Sequence, residues 1–96
     1  MRYGDFLTLH ILHHAKDGVT GSFLMKELER HGYSISPGTI YPLLHALERE
    51  NLLKSHWEVR NGRRMRVYEI TKRGSNRLEE GKERLKELCL EVLGDK

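Results

Sequence analysis

The chain has 96 residues, of which 38% are hydrophobic and 32% are charged, and its formal net charge at pH 7 is +3. This length supports one small domain with a modest core, and a chain of this size often completes its core by dimerising. The composition excludes an intrinsically disordered protein and is ordinary for a helix-rich globular one. Because the net charge is small, only its distribution along the chain could indicate a nucleic-acid partner.

The signals for cell compartment favour a soluble, cytoplasmic protein. The single cysteine, Cys89, excludes an internal disulfide and fits a reducing environment. The N-terminal apolar run follows an arginine, but Asp5 and three histidines interrupt it, and no small-residue cleavage site of a signal peptide follows. No segment approaches the ~18 consecutive apolar residues that a membrane-spanning helix needs.

Two helices are predicted in the first third of the chain. The first covers residues 5–15, where apolar residues occupy most of the helix surface. The polar arc that they leave is formed by His10, His13 and His14. Two glycines in residues 16–21 break this helix. The second helix covers residues 22–31 and ends at Gly32, in the C-cap position. Its core candidates are Phe23, Leu24 and Leu28.

A third helix is predicted to begin in SISPGTIYPLLHALE, residues 34–48, which contains both prolines of the chain. Ser36 is placed to cap this helix by accepting a hydrogen bond from a free backbone N–H. Pro37 suits the first helical position, where no N–H is needed. The helix should end near residues 50–51. Its apolar stripe is formed by Ile40, Leu43, Leu44 and Leu47.

Residues 52–71 predict a β-hairpin. Two runs rich in Val, Ile, Trp and Tyr flank Asn61-Gly62, the strongest short signal for a two-residue hairpin turn. Folding about that turn gives an opposite-charge pair, an apolar contact and a cation–π contact across the strands. These pairs are Lys54 with Glu69, Leu53 with Ile70 and Trp57 with Arg66.

One long amphipathic helix is predicted over residues 72–93. Its apolar stripe is formed by Leu78, Gly81, Leu85, Leu88, Cys89, Val92 and Leu93. A long helix that follows a completed small core needs a surface to pack on, and a second copy of the chain is the natural candidate. The predicted dimerisation residues are Leu78, Leu85, Leu88, Cys89, Val92 and Leu93.

The order of helix, helix, helix, hairpin and long helix predicts a winged helix–turn–helix, which is mainly α with a small β-hairpin. We expect residues 1–71 to form the DNA-binding domain and residues 72–96 to form the dimerisation helix, within one compact unit.

The outer face of the third helix is the predicted DNA-reading surface. In a helix–turn–helix, the N-terminal part of this helix enters the major groove and meets base edges. Free N–H groups at its N-terminus, together with the helix dipole, favour a phosphate. Ser36, Gly38 and Thr39 occupy that end, and Tyr41, Pro42, His45 and Arg49 lie opposite the leucine stripe.

Pro42 has two interpretations. A proline inside a helix costs ~3 kcal/mol in an ordinary setting, which indicates a functional reason such as shaping an exposed helix start. The alternative is that Pro37 and Pro42 only set the turn geometry between the second and third helices.

Arginines cluster at the tip of the hairpin, with no acidic residue among them. Such a cluster is usually solvated surface, but at the wing of a winged helix it is placed to bind phosphates beside the groove. The predicted phosphate contacts are Arg60, Arg63, Arg64 and Arg66.

The sequence resembles the PadR family of transcriptional regulators. SPGTIYPLLHALERENLL resembles the third helix of that family, RVYEITKRG its second wing strand, and LTLHILHHAKDGVTGSFLMKEL its first helices. The resemblance covers roughly residues 5–93 and extends to the subfamily with a short C-terminus. It implies a homodimer that binds inverted-repeat operators and usually represses. It also implies that Thr39, Tyr41, Pro42 and His45 contact DNA, with the wing arginines on phosphates.

Two other functions remain open. His10 and His14 are one helical turn apart and could share a metal ion, with Cys89 approaching across a dimer, which would make the protein a metal-responsive repressor. A winged helix can also serve as a protein-interaction adaptor that does not bind DNA. An enzyme is not expected, because no paired carboxylates, phosphate-binding loop or nucleophile–base pair is present. No cofactor is expected, and the sequence names no effector.

Overall fold

The computed structural model describes residues 3–94, and the side chains of residues 6–94. The helices in this range are α1 (Tyr3–His14), α2 (Gly21–Arg30), α3 (Pro37–Arg49) and α4 (Lys72–Gly94), with a 3-10 turn at Ala15–Asp17 after α1. The strands β1 (Leu53–Arg60) and β2 (Arg63–Ile70) form an antiparallel hairpin between α3 and α4. This order confirms the predicted winged helix–turn–helix. No helix in residues 3–94 is long and apolar enough to cross a membrane.

The core lies where α1, α2 and α3 meet the base of the hairpin. Apolar residues spaced three and four apart face inward from each helix, and each full burial of a Leu or Ile side chain contributes roughly 1.5–3 kcal/mol. The side chains with no exposed surface include Ile11, Leu12, Leu24, Leu28, Ile40 and Leu44. α3 therefore has one side committed to the core.

Phe23 does not belong to this core, contrary to the prediction, because 50% of its surface is exposed. α2 begins immediately after Thr20, whose hydroxyl accepts a hydrogen bond from the Phe23 N–H at 3.2 Å. Leu24 and Leu28, four residues apart on this helix, face inward. Phe23 lies one residue away from that stripe and faces solvent.

The hydroxyl of Ser36 makes no capping hydrogen bond, so that part of the prediction is wrong. Ser36 occupies the N-cap position through its backbone, and its carbonyl oxygen accepts from the N–H groups of Thr39 and Ile40, both at 3.0 Å. Pro37 is the first helical residue, as predicted. The start of α3 is thus held by the main chain, and its side chains remain exposed.

The hairpin has the predicted register, with Leu53 opposite Ile70, Lys54 opposite Glu69 and Trp57 opposite Arg66. Asn61 and Gly62 have φ values of 53° and 76°, the left-handed conformation that a tight hairpin turn with matching strand twist requires. The connection between α1 and α2 adds a short bridge at the base of the hairpin. There Val19 and Tyr68 exchange backbone hydrogen bonds of 2.9 and 2.7 Å.

α4 is anchored at its N-terminus to the end of α3. The Thr71 hydroxyl accepts from the Gly74 N–H at 2.9 Å and donates to the Asn51 carbonyl oxygen at 2.6 Å. Gly74 lies so close to Leu52 that a Cβ atom there would overlap the Leu52 carbonyl oxygen. At Gly81 a Cβ atom would overlap the Leu9 side chain of α1. Two glycines therefore permit the close packing of α4.

The two halves of α4 have different environments. Leu78, predicted at a dimerisation surface, is 4% exposed and belongs to the core of its own chain, because the close contact at Gly74 draws this half inward. Leu85 and Leu88 are half-buried, and Cys89 is exposed. Near the C-terminal end, Leu90, Val92 and Leu93 are 68%, 62% and 81% exposed. The second half of the helix therefore carries apolar side chains that residues 6–94 leave partly or largely exposed.

We expect Gly74→Ala to lower the free energy of unfolding by about 1–3 kcal/mol, the usual range for overpacking, because the clash is with backbone. Gly94→Ala is the control, since a Cβ atom there meets nothing within 4 Å and alanine favours helix. Urea denaturation at matched protein concentration measures both. Equal midpoints for the two variants would contradict the close contact at Leu52.

Candidate nucleic-acid interface

The outer face of α3 is exposed along its whole length. Tyr41 is 37% exposed, and the other predicted contacts on this face, Gly38, Thr39, Pro42, His45 and Arg49, are exposed as well. The opposite face carries Ile40, Leu44 and Leu47, which are 0%, 0% and 4% exposed. The predicted division of the helix into an inner and an outer face is confirmed.

α3 continues without a break through Pro42. Because proline has no N–H, the Gly38 carbonyl oxygen lacks its usual intrahelical donor four residues on. Both residues lie on the exposed side of the helix. The first turn of α3 therefore offers an acceptor oxygen beside an apolar ring, on the face that carries Tyr41 and His45.

The Tyr41 ring is held against the N-terminus of α2. A Cβ atom at Gly21 would come 2.5 Å from Cε1 and 2.8 Å from the hydroxyl oxygen of Tyr41. Only glycine leaves room for the ring at this position. The sequence analysis did not identify Gly21 as a positioning residue, because the contact joins two helices that are separated along the chain.

α3 and the hairpin form the two walls of one surface groove of about 420 Å³. One wall is formed by Tyr41 and His45 of α3, and the floor includes Thr20 and Gly21. The wall contributed by the hairpin consists of Trp57, Arg63, Arg64, Met65, Arg66 and Tyr68. The structure thus brings two of the predicted helix contacts, Tyr41 and His45, and three of the four predicted wing arginines to one groove. The other predicted contacts on α3, namely Ser36, Gly38, Thr39, Pro42 and Arg49, do not line it.

The four wing arginines have different partners. Arg60 pairs with Glu58 at 3.0 Å, and Arg66 pairs with Glu48 at 3.0 Å. Arg63 and Arg64 form no ion pair within residues 6–94, and both are exposed. The Arg64 guanidinium lies over the Trp57 ring, 4.4 Å from its centroid, whereas Arg66 lies 5.8 Å away. Stacking on an aromatic face orients a guanidinium without neutralising its charge.

Arg66 belongs to a small polar network that joins α3 to the hairpin. Glu48, at the end of α3, accepts from the Ser55 hydroxyl at 2.7 Å and from Arg66 Nη2 at 3.0 Å. Arg66 Nε also donates to the Ser55 oxygen at 2.9 Å. Sequence analysis missed Glu48 and Ser55. The only available signal was that the strand register places Ser55 on the same face as Arg66.

Two ionisable groups near the groove have shifted pKa values. Hydrogen bonds from His56 and then Arg60 lower the pKa of the Glu58 carboxyl, which keeps it charged beside the wing tip. Burial raises the pKa of the Tyr68 hydroxyl, which is therefore uncharged in the hairpin wall of the groove. Tyr68 thus adds no charge to the groove, and the positive charge of that wall comes from the arginines.

His10 and His14 do not line the groove, and the prediction of a polar arc on α1 is wrong for them: both are half-buried, because residues of α2 and of the turn after it lie against them. Of the three predicted residues only His13 is exposed. His10 Nδ1 and His14 Nε2 are buried and have no hydrogen-bond partner among the described residues. Burial, and secondly the neighbouring histidines, lower the pKa of both groups. Both rings are therefore neutral near pH 7.

Three helices that present one exposed helix face beside a basic hairpin define the DNA-binding winged helix–turn–helix class. The sequence model of the transcriptional regulator PadR-like family matches residues 9–80. The chain belongs to this family, and it is a transcriptional regulator rather than an enzyme.

Individual relatives agree with that assignment. The chain is 54% identical over 87 residues to the transcriptional regulator Rv3488 of Mycobacterium tuberculosis, covering 90% of this chain and 81% of that protein. The crystal structure of a PadR family transcriptional regulator from Eggerthella lenta has a TM-score of 0.77 and 31% identity, covering 86% of this chain and 74% of that one. A PadR-like transcriptional regulator from Bacillus cereus has a TM-score of 0.81 and 29% identity, with coverage of 94% and 87%.

We expect a double-mutant cycle on Glu48→Ala and Arg66→Ala to show coupling of about 1 kcal/mol in the free energy of unfolding. The pair is only partly exposed and shares Ser55, so each single variant leaves hydrogen-bonding groups unpaired. The same cycle on Glu58 and Arg60, an exposed pair at the wing tip, serves as the control and should show no measurable coupling. Additive effects at Glu48 and Arg66 would show that the network does not hold the wing.

Proposed function

We propose that this regulator binds double-stranded DNA as a homodimer and represses transcription from an inverted-repeat operator. The observation that carries the proposal is the shared groove, in which the exposed face of α3 lies beside Arg63 and Arg64, whose charges have no ion-pair partner among residues 6–94. Sequence-specific DNA binding requires one surface that contacts base edges and a cationic surface that contacts phosphates. The α3 side of the groove is proposed to be the first, and the hairpin side to be the second.

α3 is the proposed recognition helix. Ser36, Gly38 and Thr39 lie at its N-terminus, where their exposed polar groups and the helix dipole attract a backbone phosphate. Further along the same face, Tyr41 and His45 supply hydrogen-bonding groups for base edges, and Pro42 supplies an apolar surface for a thymine methyl. Arg49, exposed near the end of the helix, is proposed to contact a phosphate.

The four wing arginines are proposed to have different roles in DNA binding. Arg63 and Arg64 bind phosphates directly, since their charges are available and the Trp57 ring orients one of them. Arg60 joins them by exchanging Glu58 for a phosphate at the exposed wing tip. Arg66 lies close enough to the groove to approach DNA, while its pairing with Glu48 sets the angle between the two walls.

The exposed apolar half of α4 supports the proposed homodimer. Leu85 and Leu88, which the same chain covers only in part, continue into the exposed residues Cys89, Val92 and Leu93. Covering it with a second copy removes apolar area from water and places two recognition helices in one particle. Two such helices read half-sites about 34 Å apart, one turn of DNA.

The decisive experiment is selection of binding sites from random DNA with the purified full-length protein. An enriched inverted repeat, bound by a dimer with steep salt dependence, is the expected result. Absence of an enriched site, with only feeble binding at low salt, would overturn the proposal in favour of a protein-interaction adaptor.

Replacing Arg63 and Arg64 together by alanine should weaken binding to all DNA sequences to a similar degree. Each lost phosphate contact reduces the slope of log K against log salt by about 0.9, so the expected reduction is about two per protomer. A matched control removes two cations from α4, Lys82 and Lys86, which lie outside the groove. An unchanged slope in the wing variant, or an equal change in the control, would contradict the phosphate assignment.

Tyr41→Phe and His45→Ala should change which DNA sequences are preferred and leave the salt slope nearly unchanged. Each lost base contact removes about 1–3 kcal/mol of discrimination at one position of the half-site. Repeating the site selection with each variant measures this directly. If both variants select the wild-type site with the same stringency, α3 does not read bases through these side chains.

A further inference from the structure

A second cluster of chemically competent side chains lies away from the groove, between α1 and α2. His14 is the last residue of α1, Glu27 lies on α2, and His31 is the C-cap residue of α2. One ligand atom from each of the three lies within 4.8 Å of the other two. Residues that are distant along the chain therefore converge on one point, which periodicity in α1 alone could not reveal.

One side of the cluster formed by His14, Glu27 and His31 is buried in the protein, and the other side faces solvent. His14 Nε2 is buried without a hydrogen-bond partner among the described residues, and the Glu27 side chain is only 19% exposed. A buried polar atom without a partner is costly, roughly 1–3 kcal/mol. His31 is exposed at a helix end, where its ring can rotate. His14 and Glu27 are thus held in place by packing, whereas the His31 side chain can change its position.

We propose that His14, Glu27 and His31 bind a divalent transition-metal ion of the zinc or nickel type. Two imidazoles and one carboxylate are a donor set that such ions accept, with the remaining position filled by water or a further ligand. Tetrahedral ligands at 2.0–2.1 Å lie about 3.4 Å apart, so the observed spacing closes with side-chain movements of roughly 1 Å. Glu27 and His31 are four residues apart, on one face of α2, as two ligands from one helix should be.

The side chains around the proposed site are compatible with metal binding. Arg30 donates to both carboxylate oxygens of Glu27, at 3.0 and 3.1 Å, and its own side chain is 70% exposed, so it can move aside. The His10 ring lies 4.8 Å from the His31 ring and is the nearest further imidazole on the inner side. His13 is exposed, and its ring makes a T-shaped contact with the His14 ring, with centroids 5.1 Å apart. The proposed site thus differs from the pair His10 and His14 that helical spacing suggested.

An ion held here would connect the end of α1 to the turn that precedes the recognition helix. The C-cap His31 is followed by Gly32 and Tyr33, whose N–H groups bond to the carbonyl oxygens of Glu29 and Leu28. Fixing His31 therefore fixes the start of the segment that leads into α3. This consequence rests on the proposed DNA binding, whereas the metal site itself does not.

The first test is calorimetric titration of the chelator-treated full-length protein with zinc chloride and with nickel chloride. One ion per chain is expected, with an affinity at least ten-fold weaker in His31→Ala, which changes an exposed residue and leaves the core intact. Arg30→Ala should bind more tightly, because it removes the competing cation. His56→Ala, which removes an exposed imidazole of the hairpin, is the control and should bind like the wild type.

The proposal is overturned if the wild type takes up no ion, or if His31→Ala and His56→Ala bind equally. A second readout guards against indirect effects: zinc should raise the thermal unfolding midpoint of the wild type and of His56→Ala, but not that of His31→Ala. A metal-dependent stabilisation that persists in His31→Ala would place the ion elsewhere and count against this site.

The effect on DNA is measured with the selected operator, with and without zinc. Metal occupancy should change operator affinity by about five-fold or more, and His31→Ala should abolish that change. Metal uptake without any DNA binding would refute the proposed function and leave the metal site standing. Metal uptake with equal DNA affinity in both forms would refute the connection between them.

Discussion

Burial of one side of α3 is the constraint on which the remaining structure depends. Ile40, Leu44 and Leu47 are inserted among α1, α2 and the hairpin base, which fixes both the position and the rotation of the helix. A helix cannot turn its leucines inward without turning the residues half a turn away outward. The same packing that stabilises the fold therefore presents Tyr41 and His45 to the surface.

The groove depends on further contacts that keep its second wall in place. The Val19–Tyr68 bridge attaches the base of the hairpin to the segment before α2, and the Glu48 network attaches β1 and β2 to the end of α3. Gly21 leaves room for the Tyr41 ring at the junction. Because each contact joins a different pair of elements, helix and wing are held as one surface. Preorganisation of this kind reduces the entropy lost on binding.

α2 connects the two chemically distinct regions of the molecule. Its N-terminus lies beneath Tyr41 at the groove, and its C-terminus carries Glu27 and the C-cap His31. This ten-residue helix, with Leu24 and Leu28 packed in the core, therefore joins the groove to the proposed metal site. The arrangement gives a physical route by which an ion near α1 acts on the orientation of α3, without any contact between ion and DNA.

The sequence by itself determined the order of the elements, the inner face of α3, the turn at Asn61-Gly62 and the register of the hairpin. These features follow from helical periodicity and turn dihedrals, which are encoded within a few consecutive residues. Only the tertiary structure decided that Phe23 is exposed, that Leu78 is buried in its own chain, and which arginines are paired. Glu48 and Arg66 are 18 residues apart, and Glu27 meets His14 from another helix. Such contacts depend on how the elements pack, and no local pattern specifies them.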